Sequence, residues 1–229
     1  MMHKTIVVVG ASRGIGKSIV DLLAKDASHR IIAISRNVNK MEASFSQYEN
    51  VKCYPLDLEG KDVRSKCTEI FSTLDAIDIL INNAGKLVNK PFLELTREDL
   101  SSCYDVNILS VMETTQAAIP KMNKAHIVNI SSMGGFQGSV KFAGLSAYST
   151  SKAALCSFTE LFAEEYKDTN IKINCLCLGA AQTEMLQEAF PGYEAPVSAE
   201  KMAEYIVNFA LTADQWINGK IIPVSLSTP

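Results

Sequence analysis

The chain has 229 residues, 47% of them hydrophobic and 21% charged, proportions that allow a large buried core and exclude a disordered polymer. A net charge of −3 with no run of Lys or Arg argues against nucleic acid as a partner, and no stretch reaches the roughly 18 apolar residues of a membrane span. The six cysteines, Cys53, Cys67, Cys103, Cys156, Cys175 and Cys177, lack the two-residue gap of a zinc knuckle or redox pair. They read as reduced core residues of a cytoplasmic protein with no metal, and with only His3 and Lys4 before the first apolar run neither export nor membrane insertion is expected.

In chain order, apolar β-rich runs alternate with stretches of helical period. The strands are expected at Thr5–Val9, Arg30–Ser35, Val51–Tyr54, Ile77–Ile81, His126–Ile130, Ile171–Leu178 and Lys220–Val224. Most are continuous hydrophobic runs, as required when both faces of a parallel sheet lie under helices. The helices should begin near Gly14, Val38, Gly60, Thr96, Ala147 and Ser198. Thr96 stands three residues before Asp99, a capping signal, and Pro120 closes the fourth helix. No repeat, linker or low-complexity segment interrupts the alternation. The expectation is one α/β domain spanning residues 1–229, a doubly wound seven-stranded parallel sheet of Rossmann type with helices on both faces.

Directly after the first strand comes Gly10-Ala-Ser-Arg-Gly14-Ile-Gly16, opening the first helix. Glycines let the backbone turn tightly against a pyrophosphate, and a helix N-terminus offers free N–H groups and the positive end of its dipole. Ser12, Arg13 and Ile15 lie in the same loop and are expected to line the cofactor with the glycines. An NAD site places a carboxylate at the end of the second strand for the ribose 2′-OH. Here that position is Ser35, followed by Arg36, and Arg13 can approach the same point. Two guanidiniums suit a 2′-phosphate, so NADP(H) is expected in preference to NAD(H).

The glycines stand at offsets of four and six, a pattern that resembles the single-domain branch of the short-chain dehydrogenase/reductase family. The resemblance continues in the family's order through Asp57, Asn82-Asn83-Ala84-Gly85, Asn107, Ser132, Tyr148-x-x-x-Lys152 and Gly179 to Thr183. It implies that Asp57 and Leu58 touch the adenine. It also implies that Asn83, Ala84 and Gly85 let the cofactor lie close at the sheet's switch point, and that Gly179, Ala181 and Thr183 meet the nicotinamide. The two-domain branch has another glycine spacing and a longer chain, which makes epimerase chemistry the less expected.

Tyr-x-x-x-Lys occurs twice. Tyr48 and Lys52 straddle a helix-to-strand boundary, whereas Tyr148 and Lys152 stack on one side of a helical segment, Ala147 to Lys167. Carbonyl reduction needs a proton for the developing alkoxide, and a free phenol titrates near pH 10. An ammonium about 4 Å away at an effective dielectric near 20 is worth roughly 4 kcal/mol, enough to bring Tyr148 toward neutrality. By the resemblance, Lys152 also holds the nicotinamide ribose, Ser132 bonds the substrate oxygen, and Asn107 anchors a proton-relaying water. Ser131 is the competitor for the serine role.

Three departures from the family's pattern stand out: Leu178 in place of the usual Pro, a long interval between Ser132 and Tyr148, and a C-terminal run ending Val224-Ser-Leu-Ser without the acidic-Gly-Gly that usually follows. By the same resemblance, the helix of Tyr148 and that of Asn107 build a homodimer or homotetramer. Met185 to Val197 is expected to form a mobile lid, with Met133, Phe136, Phe142 and Leu145 as apolar walls suited to a ketone, aldehyde or 3-oxoacyl substrate. The alternative is a catalytically silent nucleotide-sensing regulator, which has no need of Ser132, Tyr148 and Lys152 together.

Overall fold

The computed structural model describes residues 3–226, so Ser227 of the C-terminal run lies outside the described residues. Its elements, in chain order, are β1 (Thr5–Val9), α1 (Gly14–Ala24), β2 (Arg30–Ser35), α2 (Val38–Phe45), β3 (Val51–Pro55), α3 (Val63–Ser72), β4 (Ile79–Asn82), α4 (Arg97–Tyr104), α5 (Ser110–Ala118), β5 (Lys124–Ser132), α6 (Ser146–Glu165), β6 (Asn170–Leu178), β7 (Ala181–Gln182), α7 (Glu184–Ala189), β8 (Val197–Ser198), α8 (Ala199–Thr212) and β9 (Ile221–Val224). Seven of the strands form one parallel sheet in the order β3-β2-β1-β4-β5-β6-β9, while β7 and β8 pair separately. The strand order reverses between β1 and β4, which opens a crevice at their carboxyl ends.

Alternation along each strand divides the core between two faces. Ile6 and Val8 pack with Ile19, Leu23, Met41, Ile206 and other residues of α1, α2 and α8. Val7 and Val9 point the other way, into a layer with Phe71, Ala118 and Phe162 from α3, α5 and α6. Both faces of the central strands are thus buried, which is why β1 is apolar at four of its five positions. A polar ladder also crosses the sheet: Asn82 donates to Asn129 at 2.9 Å, and Asn129 to Thr159 at 3.0 Å.

Three expectations need adjustment. The helix read from Gly60 starts at Val63, because Asp57 accepts from the Glu59 N–H and its carbonyl from the Gly60 N–H, closing a turn first. The single helix between Thr96 and Pro120 is two, α4 and α5, joined through a π-helical turn at Asp105–Leu109 and followed by a 3₁₀ turn at Ile119–Lys121 that contains the proline. The expected lid between Met185 and Val197 carries α7 and reaches β8.

Candidate active site

The glycine loop is built for close approach. Gly10 has φ of +88°, and a β-carbon there would lie 2.6 Å from the Ala84 backbone, so only glycine lets the end of β1 pack on the loop after β4. At Gly16 a β-carbon would sit 2.0 Å from the Gly10 carbonyl oxygen and 2.5 Å from Asn83 Nδ2, which already donates to that carbonyl at 3.0 Å. Gly10, Gly16, Asn83 and Ala84 are therefore one packed unit at the mouth of the crevice, while Gly14, with φ of +52°, faces Thr183 at the start of α7. Ile15 supports it from below, packed against the core.

Beside this unit the Ser35 hydroxyl donates to Ser12 Oγ at 2.8 Å, joining the end of β2 to the glycine loop. The expected pair of guanidiniums does not converge there in this structure. Arg13 reaches across to Glu188 of α7 at 2.6 Å, and Arg36, largely exposed, lies 3.7 Å from Glu59. Glu59 also receives Lys86 at 2.9 Å. Both carboxylates were missed from sequence because Arg13 and Glu188 stand 175 residues apart and Glu59 carries no motif. Asp57 is exposed and caps its own turn, while Leu58 packs on the core beside it. Gly179 is required by the last strand, since a β-carbon would meet Ser225 Oγ at 2.5 Å. Ala181 is buried in β7, and Thr183 caps α7 by accepting from the Leu186 N–H at 3.2 Å.

The opposite wall comes from β5 and α6, whose ends grip each other. Lys152 is buried and its ammonium donates to the Ile130 carbonyl at 2.8 Å; in return, Ser131 donates to the Lys152 carbonyl at 2.8 Å. Ser131 is thus occupied in holding α6. Ser132 accepts from the Gly134 N–H at 3.2 Å, and its hydroxyl adjoins the Tyr148 phenol. Lys152 Nζ and Asn107 Oδ1 each lie 3.6 Å from the place a β-carbon would take on Gly85. Tyr148, Lys152, Ser132, Asn107 and Gly85 are in this way drawn to one locality at the carboxyl edge of the sheet.

Asn107 is completely buried within the π-helical turn, and its side chain is fully engaged. It accepts from the Lys86 N–H at 2.8 Å and donates to the Lys86 carbonyl and to Ser151 Oγ, both at 2.9 Å. Ser151 in turn donates to the Tyr148 carbonyl at 2.7 Å. The side chain thereby positions the loop after β4 against α6.

The electrostatics of the pair differ from the sequence expectation. Burial pushes the Tyr148 phenol above its ordinary value, and the hydrogen bond from Ser132 opposes this only in part. Burial also lowers the Lys152 ammonium, to about 8. The Coulomb argument for Tyr148 left out this desolvation, which here is the larger effect.

The lid is tied to the loop after β4, where Asn89 donates to the Ala189 carbonyl at 3.0 Å, and that loop is joined to the one before α6 by the Lys90 N–H donating to the Gly144 carbonyl at 3.0 Å. Of the expected apolar walls, Phe142 and Tyr193 are exposed, whereas Met133 turns away from the crevice into a sulfur-rich cluster with Cys156, Cys175 and Cys177, and Phe136 packs on it.

Residues 4–194 match the family of short chain dehydrogenases. The chain belongs to that family. Among curated short-chain dehydrogenase relatives, it is 31% identical over 244 residues to a 3-oxoacyl-[acyl-carrier-protein] reductase FabG of Aquifex aeolicus (strain VF5), with 98% of this chain and 97% of the relative covered. It is 29% identical to an oxidoreductase of Staphylococcus aureus (strain N315), with the same coverage. Among solved structures, a short chain dehydrogenase from Burkholderia cenocepacia J2315 in complex with NADP superposes with a TM-score of 0.85 at 25% identity, covering 97% of this chain and 96% of that one. ElxO with NADP bound gives 0.84 at 27% identity, covering 97% of each. The chain is an oxidoreductase-family protein with a nicotinamide-nucleotide fold, and no helix among its described residues is long and apolar enough to cross a membrane.

Proposed function

We propose that this short-chain dehydrogenase is an NADP(H)-dependent oxidoreductase that interconverts a carbonyl and an alcohol, with Tyr148 as general acid and base. The observation that carries the reading is the buried Lys152 ammonium, held on the Ile130 carbonyl beside Gly85 at the switch point one helical turn beyond Tyr148, whose phenol adjoins Ser132 at the end of β5. The glycine cradle fits a dinucleotide, since Gly10 and Gly16, where a β-carbon would collide with Ala84 and with the Gly10 carbonyl, keep the turn into α1 tight and its N-terminal N–H groups open to a pyrophosphate. Bound there, the nicotinamide supplies the hydride to or from the substrate carbon.

The chain's own residues do the rest. Ser132 and Tyr148 both reach the substrate oxygen, so that the oxygen is polarised by Ser132 and protonated by Tyr148 as it becomes an alkoxide. Lys152 holds a positive charge next to the phenol and binds the nicotinamide ribose. Asn107 acts on this site by fixing Lys86 and Ser151, hence the position of Tyr148. Asp57 and Leu58 flank the adenine, and Gly179, Ala181 and Thr183 the carboxamide. Ser12, Arg13, Ser35 and Arg36 surround the ribose 2′-position with two cations and no carboxylate of their own, which favours NADP(H) once Arg13 exchanges Glu188, and Arg36 exchanges Glu59, for a phosphate. Exposed Leu109, Met112 and Leu161 on the α5 and α6 side support a homodimer or homotetramer.

The test is NADPH oxidation with a panel of ketones, aldehydes and 3-oxoacyl thioesters, run beside Tyr148→Phe. Turnover should fall on the order of 100- to 10,000-fold in the variant. Turnover untouched by the change overturns the mechanism, and silence across the panel with tight NADPH binding moves the reading to a nucleotide sensor. Arg36→Ala should erode the preference for NADPH over NADH; an unchanged preference removes the cofactor assignment.

A further inference from the structure

Three of the six cysteines, unremarkable in sequence, converge in space. Cys175 and Cys177 alternate along β6 so that both face α6, and Cys156 comes down from α6 one helical turn after Lys152. Cys156 Sγ lies 3.6 Å from Cys177 Sγ and 4.0 Å from Cys175 Sγ, and all three sulfurs fall within 4.8 Å of one another. All three are buried, closed in by Met133, Phe136 and Ile221, and Cys156 donates to the Lys152 carbonyl at 3.4 Å and to Ser131 Oγ at 3.5 Å. They are free thiols rather than a disulfide.

The spacing is that of a coordination triangle. Metal–thiolate bonds of about 2.3 Å arranged in a plane put the sulfurs about 4.0 Å apart, close to the 3.6 and 4.0 Å that separate Cys156 from Cys177 and Cys175. Chemistry narrows the metal. Among the described residues no His, Asp or Glu joins the group, and burial keeps water from serving as a fourth ligand. Zinc in a structural site requires four ligands in a tetrahedron, whereas a soft monovalent ion accepts three sulfurs. The Met133 thioether in the same cluster adds to the soft character of the surroundings.

We propose that Cys156, Cys175 and Cys177 form a three-coordinate site for Cu(I), directly beneath the β5–α6 junction that carries Ser131 and Lys152. Binding replaces S–H bonds by Cu–S bonds and releases the thiol protons to solvent, with no change in the oxidation state of copper or sulfur. The bound ion cross-links α6 to β6, so it should stabilise the fold in proportion to its affinity. This site stands apart from the carbonyl chemistry and does not depend on it.

The experiment is an anaerobic titration of the reduced full-length protein with Cu(I) presented as its complex with a coloured bidentate chelator. The protein should withdraw about one Cu(I) per chain, develop a near-ultraviolet thiolate charge-transfer band, and show three sulfur neighbours at about 2.3 Å by X-ray absorption. Cys156→Ser and Cys177→Ser should each abolish the uptake, with folding checked by circular dichroism, whereas Cys53→Ser and Cys67→Ser should retain it. No transfer from the chelator overturns the site, and so does uptake that survives both Cys156→Ser and Cys177→Ser. The sulfur count is read on the unaltered chain, so fewer than three sulfurs refutes the proposal even if the serine variants do not fold.

Discussion

Replacing Lys152 by Met should destroy activity and strengthen the fold. The ammonium is 3% exposed and its pKa falls from 10.5 to about 8, chiefly through burial. At 1.36 kcal/mol per pH unit, keeping it charged at neutral pH destabilises the native state by roughly 3 kcal/mol. Methionine fills a similar volume without charge but leaves the Ile130 carbonyl without its donor, a loss of about 1 kcal/mol. The net expectation is a gain of about 2 kcal/mol at pH 7, or roughly 4–8 °C in Tm for a chain of this size. The pH dependence gives the sharper check. Below about 8 both folded and unfolded chains carry the proton, and the penalty is constant. Between about 8 and 10.5 the unfolded chain holds more protons than the folded one, so the unaltered protein becomes more stable as pH rises and the advantage of Lys152→Met shrinks. Thermal and urea denaturation of both proteins from pH 6 to 10 measures this directly. A Met variant less stable than the parent at pH 7, or a difference that does not change with pH, refutes the reasoning.

Asn107→Leu strands the N–H and carbonyl of Lys86, and should destabilise the protein by about 3 kcal/mol in urea denaturation; a loss below about 1 kcal/mol contradicts the positioning role. Gly16→Ala puts a methyl group against the Gly10 carbonyl and should lower stability by at least about 2 kcal/mol and weaken NADPH binding, read by thermal shift with and without the nucleotide. Thr96→Ala removes the side-chain half of the α4 capping box and should cost about 1 kcal/mol. Its partner Asp99, held down to about 2 by Lys90 first and by Thr96 next, stabilises the native state above its ordinary 3.8 and loses that contribution as pH falls toward 2. Asp99→Asn should therefore flatten the acid limb of the stability profile.

The sheet was readable because its strands are buried on both sides, and burial of that kind writes itself into sequence as uninterrupted Val and Ile. The bounds of β1 and β2 match the expected strands to the residue, each built on an apolar run, Ile6–Val9 and Ile31–Ile34. The glycine loop was readable too, since tight backbone contact excludes every other residue type. What escaped was whatever depends on the pairing of distant segments. The π-helical turn at Asn107 interrupts a pattern that is helical throughout, so no change of period marks it. The Arg13–Glu188 pair and the cysteine triangle each join elements that only the completed sheet makes neighbours. Tyr148 shows a different gap: Lys152 one turn beyond it was identifiable from spacing, but the desolvation that raises the phenol depends on packing that the sequence does not display.

The mutual grip between Ile130, Ser131 and Lys152 divides the crevice into a fixed jaw and a working jaw. On the fixed side, strand and helix are latched backbone to side chain in both directions, and cannot part without exposing a buried cation. On the working side, α7 is held by surface contacts from Arg13 and Asn89 that solvent can replace at little cost. Entry and exit of any small molecule should accordingly be timed by the α7 jaw, with Ser131 and Lys152 standing still as the anvil.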